Sequence, residues 1–175
     1  AYFFAKRVTD MLGMPVGVII SAWGGSLIEP WLTREYYDKA LLGKVSDKEY
    51  GAPLARKNTG ARYPLQLESM YTSRVYPLRQ YSARGFLWYQ GCGNLADVNT
   101  YGRLQAAMVE QWRRDWEDRD ASMAFMFTTI APYTYGHPER PDRGYFVETQ
   151  LRTLDEIPNS YAAITETYGS NTTIH

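Results

Sequence analysis

The stretch GFLWYQGCGN, residues 85–94, decides the fold class. Its first half, Gly85 to Tyr89, is an apolar, aromatic-rich run that predicts a buried β-strand. From Gln90 onward the sequence becomes polar and glycine-rich, so we expect the chain to leave the sheet there. Strands without polar alternation are typical of parallel sheets, and such sheets bind ligands at the carboxyl ends of their strands. The loop after Tyr89 is therefore the first place to look for function.

The same succession of apolar run and polar loop occurs three more times. The other predicted strands are Val16 to Ile20, Met123 to Ile130 and Tyr161 to Thr165. The first of them leads into a corner, Trp23-Gly24-Gly25. The loops in which chemistry is expected are residues 21–29, 90–94, 131–137 and 166–175.

Helical periodicity separates these strands. Apolar residues recur at three- and four-residue spacing, which predicts helices. The clearest helix runs from Tyr101 to Trp116 after a cap at Asn99 or Thr100. Residues 43–62 are polar and glycine-rich, and we expect a surface loop there. The remaining helical faces are Phe4, Val8, Met11 and Leu12 (ended by Gly13), Arg34 to Leu42, Leu67 with Met70, Tyr71 and Leu78, and Phe146 with Leu151 and Leu154.

Strands that alternate with helices predict an α/β fold of three layers, α/β/α, with a mainly parallel sheet and right-handed crossovers. No internal repeat or linker interrupts the pattern, so residues 1–175 are expected to belong to one domain. The chain has 175 residues, of which 45% are apolar, and a formal net charge of zero. That balance argues against nucleic acid or an anionic membrane as partner. No apolar run approaches the roughly 20 residues that span a bilayer.

The residue inventory favours acyl transfer over metal or nucleotide chemistry. The chain has one cysteine, Cys92, and two histidines, His137 and His175, with no metal-ligand spacing and no phosphate loop, so no metal or cofactor is expected. Acyl transfer needs a nucleophile, a base and fixed donors for the developing oxyanion. Taken alone, the glycine corner is more typical of a plain tight turn. Ser21 and Ser26 flank it, but neither lies in a G-x-S-x-G elbow.

Three blocks of the chain resemble one known family. They are PVGVIISAWGGSLIEPW at residues 15–31, GFLWYQGCGN at residues 85–94, and TETYGSNTTIH at residues 165–175. In this order and spacing they are similar to the sialate O-acetylesterases and related carbohydrate acetylesterases of the SGNH-hydrolase superfamily. The resemblance covers nearly the whole chain and implies a flavodoxin-like sheet. It also implies that a strand outside these 175 residues lies between the strands that match Val16 to Ser21 and Gly85 to Tyr89.

The resemblance also implies roles for individual residues. His175 would be the base, Gly24 or Gly25 would give a backbone oxyanion donor, and Gln90 or Asn94 would give a side-chain donor. The family's serine lies in a G-Q-S-N-M block that these residues do not contain. We therefore expect residues 1–175 to be the C-terminal part of a single esterase domain, incomplete at its N-terminus and inactive alone. The candidate sugar contacts are Trp23, Glu29, Trp88 and Tyr89.

Two departures from the family pattern concern the site. Cys92 stands where the family has Glu, and Thr167 where it has Asp. Cys92 is better explained as a small residue than as a nucleophile. Thr172 stands three residues before His175, and Glu166 is the nearest acid, so a dyad or a backbone carbonyl is the alternative to an orienting carboxylate.

The expected function is a serine esterase, secreted or periplasmic, that removes acetyl groups from O-acetylated carbohydrate, either sialic acid or plant polysaccharide. The alternative is a catalytically inactive sugar-binding relative. Loss of the family's Glu at Cys92 and of its Asp at Thr167 favours that alternative, because both changes touch the site rather than the core.

Overall fold

The computed structural model describes residues 1–43, 66–134, 141–170 and 172. The helices with described bounds are α1 (Tyr2–Leu12), α2 (Arg34–Leu41), α3 (Tyr101–Asp115) and α4 (Pro141–Glu156). The strands are β1 (Gly85–Tyr89), β2 (Ala124–Thr128) and β3 (Ser160–Ala163). Short 3₁₀ turns cover Glu29–Trp31 and Cys92–Asn94, and a π-helical turn at Tyr71–Val75 leads into a 3₁₀ turn at Tyr76–Gln80.

The three strands form a parallel sheet in the order β1-β2-β3. Gly85 pairs with Ala124 and Tyr89 with Thr128, while Phe125 pairs with Ser160. Helix α3 connects β1 to β2, and α4 connects β2 to β3, so strand and helix alternate along the chain. The predicted α/β class with a parallel sheet is confirmed.

The core lies between one face of the sheet and the helices. Successive side chains of a strand point to opposite faces. Trp88, Phe125 and Phe127 point inward and are buried, whereas Leu87 and Tyr89 on the other face are exposed. Trp88 meets Trp31 and Trp112 in edge-to-face contacts, each with ring centroids 5.5 Å apart. Such pairs stabilise a core beyond the apolar area that they bury.

The strand predicted at Val16 to Ile20 is not formed. The segment has no regular structure, and Ile20 is 75% exposed. A strand needs a neighbour to satisfy its backbone N–H and C=O groups, and none pairs with this segment in the described ranges. Helix α1 forms as predicted and ends at Gly13 in the left-handed region, but Phe3 remains 82% exposed.

The other elements lie close to their predicted bounds. Thr100 precedes α3 as expected, although its hydroxyl donates to the Asp97 carbonyl rather than capping the helix. The helix predicted from Leu67 to Leu78 is replaced by π and 3₁₀ turns, because Pro77 has no N–H with which to continue an α-helix. From residue 44, the loop predicted at 43–62 lies outside the described residues.

Candidate active site

Two of the predicted functional loops meet at the carboxyl end of β1. The Gln90 Nε2 donates to the Ser26 carbonyl at 3.0 Å, and the Ile28 N–H donates to Asn94 Oδ1 at 2.9 Å. The loop that follows the glycine corner is thus fixed to the loop that follows β1. Among the described residues, these contacts join Gln90 and Asn94 to the segment that directly follows Gly24 and Gly25.

Asn94 is the buried anchor of this junction, with 0% of its surface exposed. Its Oδ1 accepts from the Ile28 N–H and, at 2.8 Å, from Gln90 Nε2. Its Nδ2 donates to Glu29 Oε2 at 2.9 Å and to Asp97 Oδ2 at 3.1 Å. An amide has two N–H donors and two acceptor lone pairs, so all four hydrogen-bonding positions of Asn94 are used inside the protein.

Gln90 is half-buried, and its amide is oriented by partners on both sides. Its Oε1 accepts from the Tyr101 hydroxyl at 3.0 Å. Its Nε2 donates to the Ser26 carbonyl and to Asn94 Oδ1. The N–H end of the amide therefore faces the loop that contains the glycine corner.

Two residues behind Gln90 have no exposed surface, Tyr101 and Gln150. Gln150 donates to the Gln90 carbonyl at 3.2 Å and accepts from the Ile130 N–H at 3.0 Å, which ties the ends of β1 and β2 to α4. Burial raises the pKa of Tyr101 well above its usual range, so the phenol stays neutral. Neither residue was among the predicted site residues. The sequence signal that could have pointed to Gln150 is a polar residue one helical turn after the apolar Phe146.

The glycine corner itself lies at the surface. Gly24 and Gly25 are exposed, and Gly25 has φ 73°, a left-handed conformation that favours glycine. Ser21 donates to the Arg74 carbonyl at 2.8 Å, and the buried Ser26 accepts from the Trp31 indole N–H at 3.0 Å.

Backbone shape after β1 depends on Gly91. Its φ of 140° is rare for residues with a side chain, and a Cβ there would lie 2.7 Å from the Ile130 side chain and 2.8 Å from the Phe146 ring. The turn that places Gln90 and Asn94 therefore requires glycine at this position.

The four candidate sugar contacts occupy different environments. Trp88 is 8% exposed and lies in the aromatic core, and Glu29 is buried beside Asn94. Tyr89 is 47% exposed, and Trp23 is half-buried with the Arg74 guanidinium 4.9 Å from its ring centroid. The strand alternation explains the difference, because Trp88 and Tyr89 must point to opposite faces. Of these four side chains, Trp23 and Tyr89 present surface that a ligand can reach.

The predicted base, His175, lies outside the described residues, as does His137. Glu166 is the acidic residue nearest to His175 in the sequence. It forms a bidentate salt bridge with Arg143, with N–O distances of 2.7 and 2.6 Å. The hydrogen bond from Arg143 lowers the pKa of Glu166, which keeps its carboxylate ionised. In the ranges described, no three His, Cys, Asp or Glu side chains are grouped as metal ligands. No described helix has the length and apolar character needed to cross a membrane.

Comparison with known proteins identifies relatives of the chain. Residues 1–170 match the family described as carbohydrate esterase, sialic acid-specific acetylesterase. The sialate O-acetylesterase of Mus musculus is 24% identical, over 79% of this chain and 31% of the relative. That of Homo sapiens is 27% identical, over 64% of this chain and 20% of the relative.

A solved structure shows the same fold. The crystal structure of a carbohydrate acetylesterase from Xanthomonas citri superposes with a TM-score of 0.79 at 26% identity, covering 99% of this chain and 35% of that one. The chain thus spans about a third or less of the length of these relatives.

Proposed function

The chain belongs to the carbohydrate esterase family of sialic acid-specific acetylesterases, and from this membership we propose that it works as the C-terminal part of one serine esterase domain. The proposed reaction removes acetyl groups from O-acetylated carbohydrate, either sialic acid or plant polysaccharide, without a cofactor. By the same resemblance we propose a secreted or periplasmic location.

The observation that carries this proposal is the contact between Gln90 and the loop of the glycine corner. A 3.0 Å hydrogen bond from Gln90 Nε2 to the Ser26 carbonyl joins this side chain to the residue that directly follows Gly24 and Gly25. Acyl transfer uses side-chain and backbone N–H donors around one oxygen. Burial favours Gln90 over Asn94 as the side-chain donor, because Gln90 is half-buried whereas Asn94 has no exposed surface.

In the proposed mechanism a serine attacks the acetyl carbonyl and passes its proton to His175. Negative charge collects on the carbonyl oxygen, where Gln90 and the backbone of Gly24 or Gly25 stabilise it. The sugar hydroxyl leaves with the proton from His175. Water, deprotonated by His175, then attacks the acetyl-enzyme and releases acetate.

The nucleophile is proposed to lie outside the 175 residues. The Ser21 hydroxyl donates a hydrogen bond to a backbone carbonyl, and Ser26 is buried and accepts a hydrogen bond from the Trp31 indole.

The group that orients His175 is a separate question. Because Glu166 is held by Arg143, we propose that a backbone carbonyl, rather than a carboxylate, orients His175 in a serine–histidine dyad.

The test uses the full-length natural protein that contains this sequence. Acetate release is measured from p-nitrophenyl acetate, O-acetylated sialic acid and acetylated plant polysaccharide. His175→Ala should lower kcat by about 10⁶-fold, as loss of the histidine base does in serine proteases. His137→Ala removes the other histidine of the sequence and is the comparison variant, and its loss of kcat should be far smaller than that of His175→Ala. Full turnover in His175→Ala would remove His175 from the mechanism.

A second candidate, an inactive sugar-binding relative, is favoured by one structural observation. Both N–H groups of the Gln90 amide and both of the Asn94 amide already have acceptors within the protein. Acetate release and glycan binding measured on the same full-length protein separate the two candidates. Binding without release supports the inactive relative, and turnover of any acetylated sugar excludes it.

A further inference from the structure

We propose that Tyr101 is a positioning residue that holds the Gln90 amide with its N–H end toward the glycine corner. The inference rests on the proposed role of Gln90 as oxyanion donor. The two ends of a side-chain amide have nearly the same shape, so only hydrogen-bond partners decide which end faces a site.

The Tyr101 hydroxyl lies between two oxygens of the same residue. It is 3.0 Å from Gln90 Oε1 and 3.2 Å from the Gln90 carbonyl. The phenol oxygen also accepts a hydrogen bond from the Trp88 indole N–H at 3.4 Å. Because Trp88 is the donor in that contact, the single phenol proton is available to the two Gln90 oxygens. The contact with Oε1 is the shorter of the two, and the Gln90 carbonyl already accepts from Gln150, so the hydroxyl favours the oxygen of the amide at this end.

The position of this hydroxyl is fixed by packing. The Tyr101 ring has no exposed surface and lies against Phe146, with ring centroids 4.5 Å apart. The ring belongs to α3 and reaches the end of β1, so it connects the helix layer to the proposed site. A rigid donor of this kind fixes the amide without touching the substrate.

The Ser26 carbonyl and Asn94 Oδ1 favour the same orientation, since each accepts from Gln90 Nε2. When a substrate oxygen competes for one of these N–H groups, the contact with Tyr101 keeps the amide from turning. Loss of the hydroxyl should therefore lower kcat by about tenfold, which is less than the 10²–10³-fold typical for loss of a donor itself.

The experiment compares Tyr101→Phe with Tyr71→Phe in the full-length natural protein. Tyr71 is also buried, and its hydroxyl donates to Asp115 Oδ2 at 2.7 Å, away from the β1 loop. Each variant loses one buried phenol hydroxyl and keeps its ring. We expect kcat to fall about tenfold in Tyr101→Phe with KM unchanged, and both constants to stay at wild-type values in Tyr71→Phe.

A double-mutant cycle shows whether Tyr101 acts through Gln90. In a Gln90→Ala background, Tyr101→Phe should cause no further loss of kcat. An equal loss in both backgrounds, or wild-type kcat in Tyr101→Phe alone, would overturn the proposal.

An NMR measurement on the Gln90 side chain tests this inference separately from the proposed function. The side-chain NH₂ resonances of Gln90 should shift or broaden in Tyr101→Phe and not in Tyr71→Phe, whether or not the protein is an esterase. Unchanged Gln90 resonances would refute the positioning role. Absence of acetate release from the wild-type protein would refute only the esterase proposal.

Discussion

Replacement of Asn94 with alanine should destabilise the fold more than most single changes. The substitution removes hydrogen bonds to the Ile28 N–H, Gln90 Nε2, Glu29 and Asp97 at once. Ile28 and Glu29 are buried, so water cannot replace the lost partner freely. The Ile28 N–H loses its acceptor and the Glu29 carboxylate loses a donor.

The expected magnitude follows from these two groups. The buried Ile28 N–H left without its acceptor costs about 1–3 kcal/mol, and a lost hydrogen bond to a charged group such as Glu29 costs about 1.5–3 kcal/mol. The Asn94→Ala change should therefore lower the free energy of unfolding by about 2.5–6 kcal/mol. Domains are stable by only about 5–15 kcal/mol. We therefore expect a large drop in the urea concentration at the midpoint of unfolding. Unfolding of the full-length natural protein is monitored by tryptophan fluorescence, since Trp31, Trp88 and Trp112 are buried.

Asn94→Asp is the matched variant, since it keeps the shape and the acceptor oxygen. It places a carboxylate oxygen where Nδ2 now meets Glu29 Oε2 and Asp97 Oδ2. Like charges at such distances repel strongly, so this variant should be less stable at pH 7 than at pH about 4, where carboxyl groups begin to take up protons. If both variants unfold like the wild type but lose acetate release, Asn94 acts in the site and its role as buried anchor is refuted.

Two further predictions concern the stability of the chain. Burial alone would raise the pKa of Asp118, but hydrogen bonds from Ser122 and Met123 and the charge of Arg113 outweigh it and lower the pKa. Asp118 therefore stabilises the fold above its unfolded pKa of about 4, and this contribution is lost as pH falls through the lower folded value. The urea midpoint of Asp118→Asn should lie below that of the wild type at pH 7, and the gap should narrow below pH 4; a constant gap would contradict the linkage. The 175-residue chain alone should be poorly soluble or molten and inactive, which light scattering and thermal unfolding measure; a soluble monomer that unfolds cooperatively would contradict this.

Elements that depend on local pattern were predictable from the sequence. The run Gly85 to Tyr89 forms β1 with the predicted bounds, and the periodicity from Tyr101 onward forms α3. The contact of Gln90 with the loop of the glycine corner was expected because loops after strands gather at one edge of a parallel sheet. The contact forms although Val16 to Ile20 is not a strand, so that reasoning does not account for it.

The contacts behind the site were not predictable, because they are tertiary. Helical spacing marks Tyr101 as a core residue, and the structure agrees that it is buried. The spacing says nothing of where the hydroxyl points, which depends on how α3 crosses β1. The same limit applies to Trp88. From the sequence, an aromatic ring beside a functional loop is a reasonable candidate for a sugar contact. In the structure, the alternation of side chains along β1 points Trp88 into the core.

The segment Val16 to Ile20 shows that an apolar sequence pattern alone does not form a strand. Its apolar side chains would gain from burial, but its backbone can be buried only beside a neighbour that pairs with it. β1 pairs with β2 along one side, and in the described ranges no strand pairs with its other side. The sequence resemblance expects one shared strand between Val16–Ser21 and Gly85–Tyr89. Ile20 is exposed and one edge of β1 has no partner among the described residues, and apolar surface of this kind makes aggregation of the isolated chain the expected result.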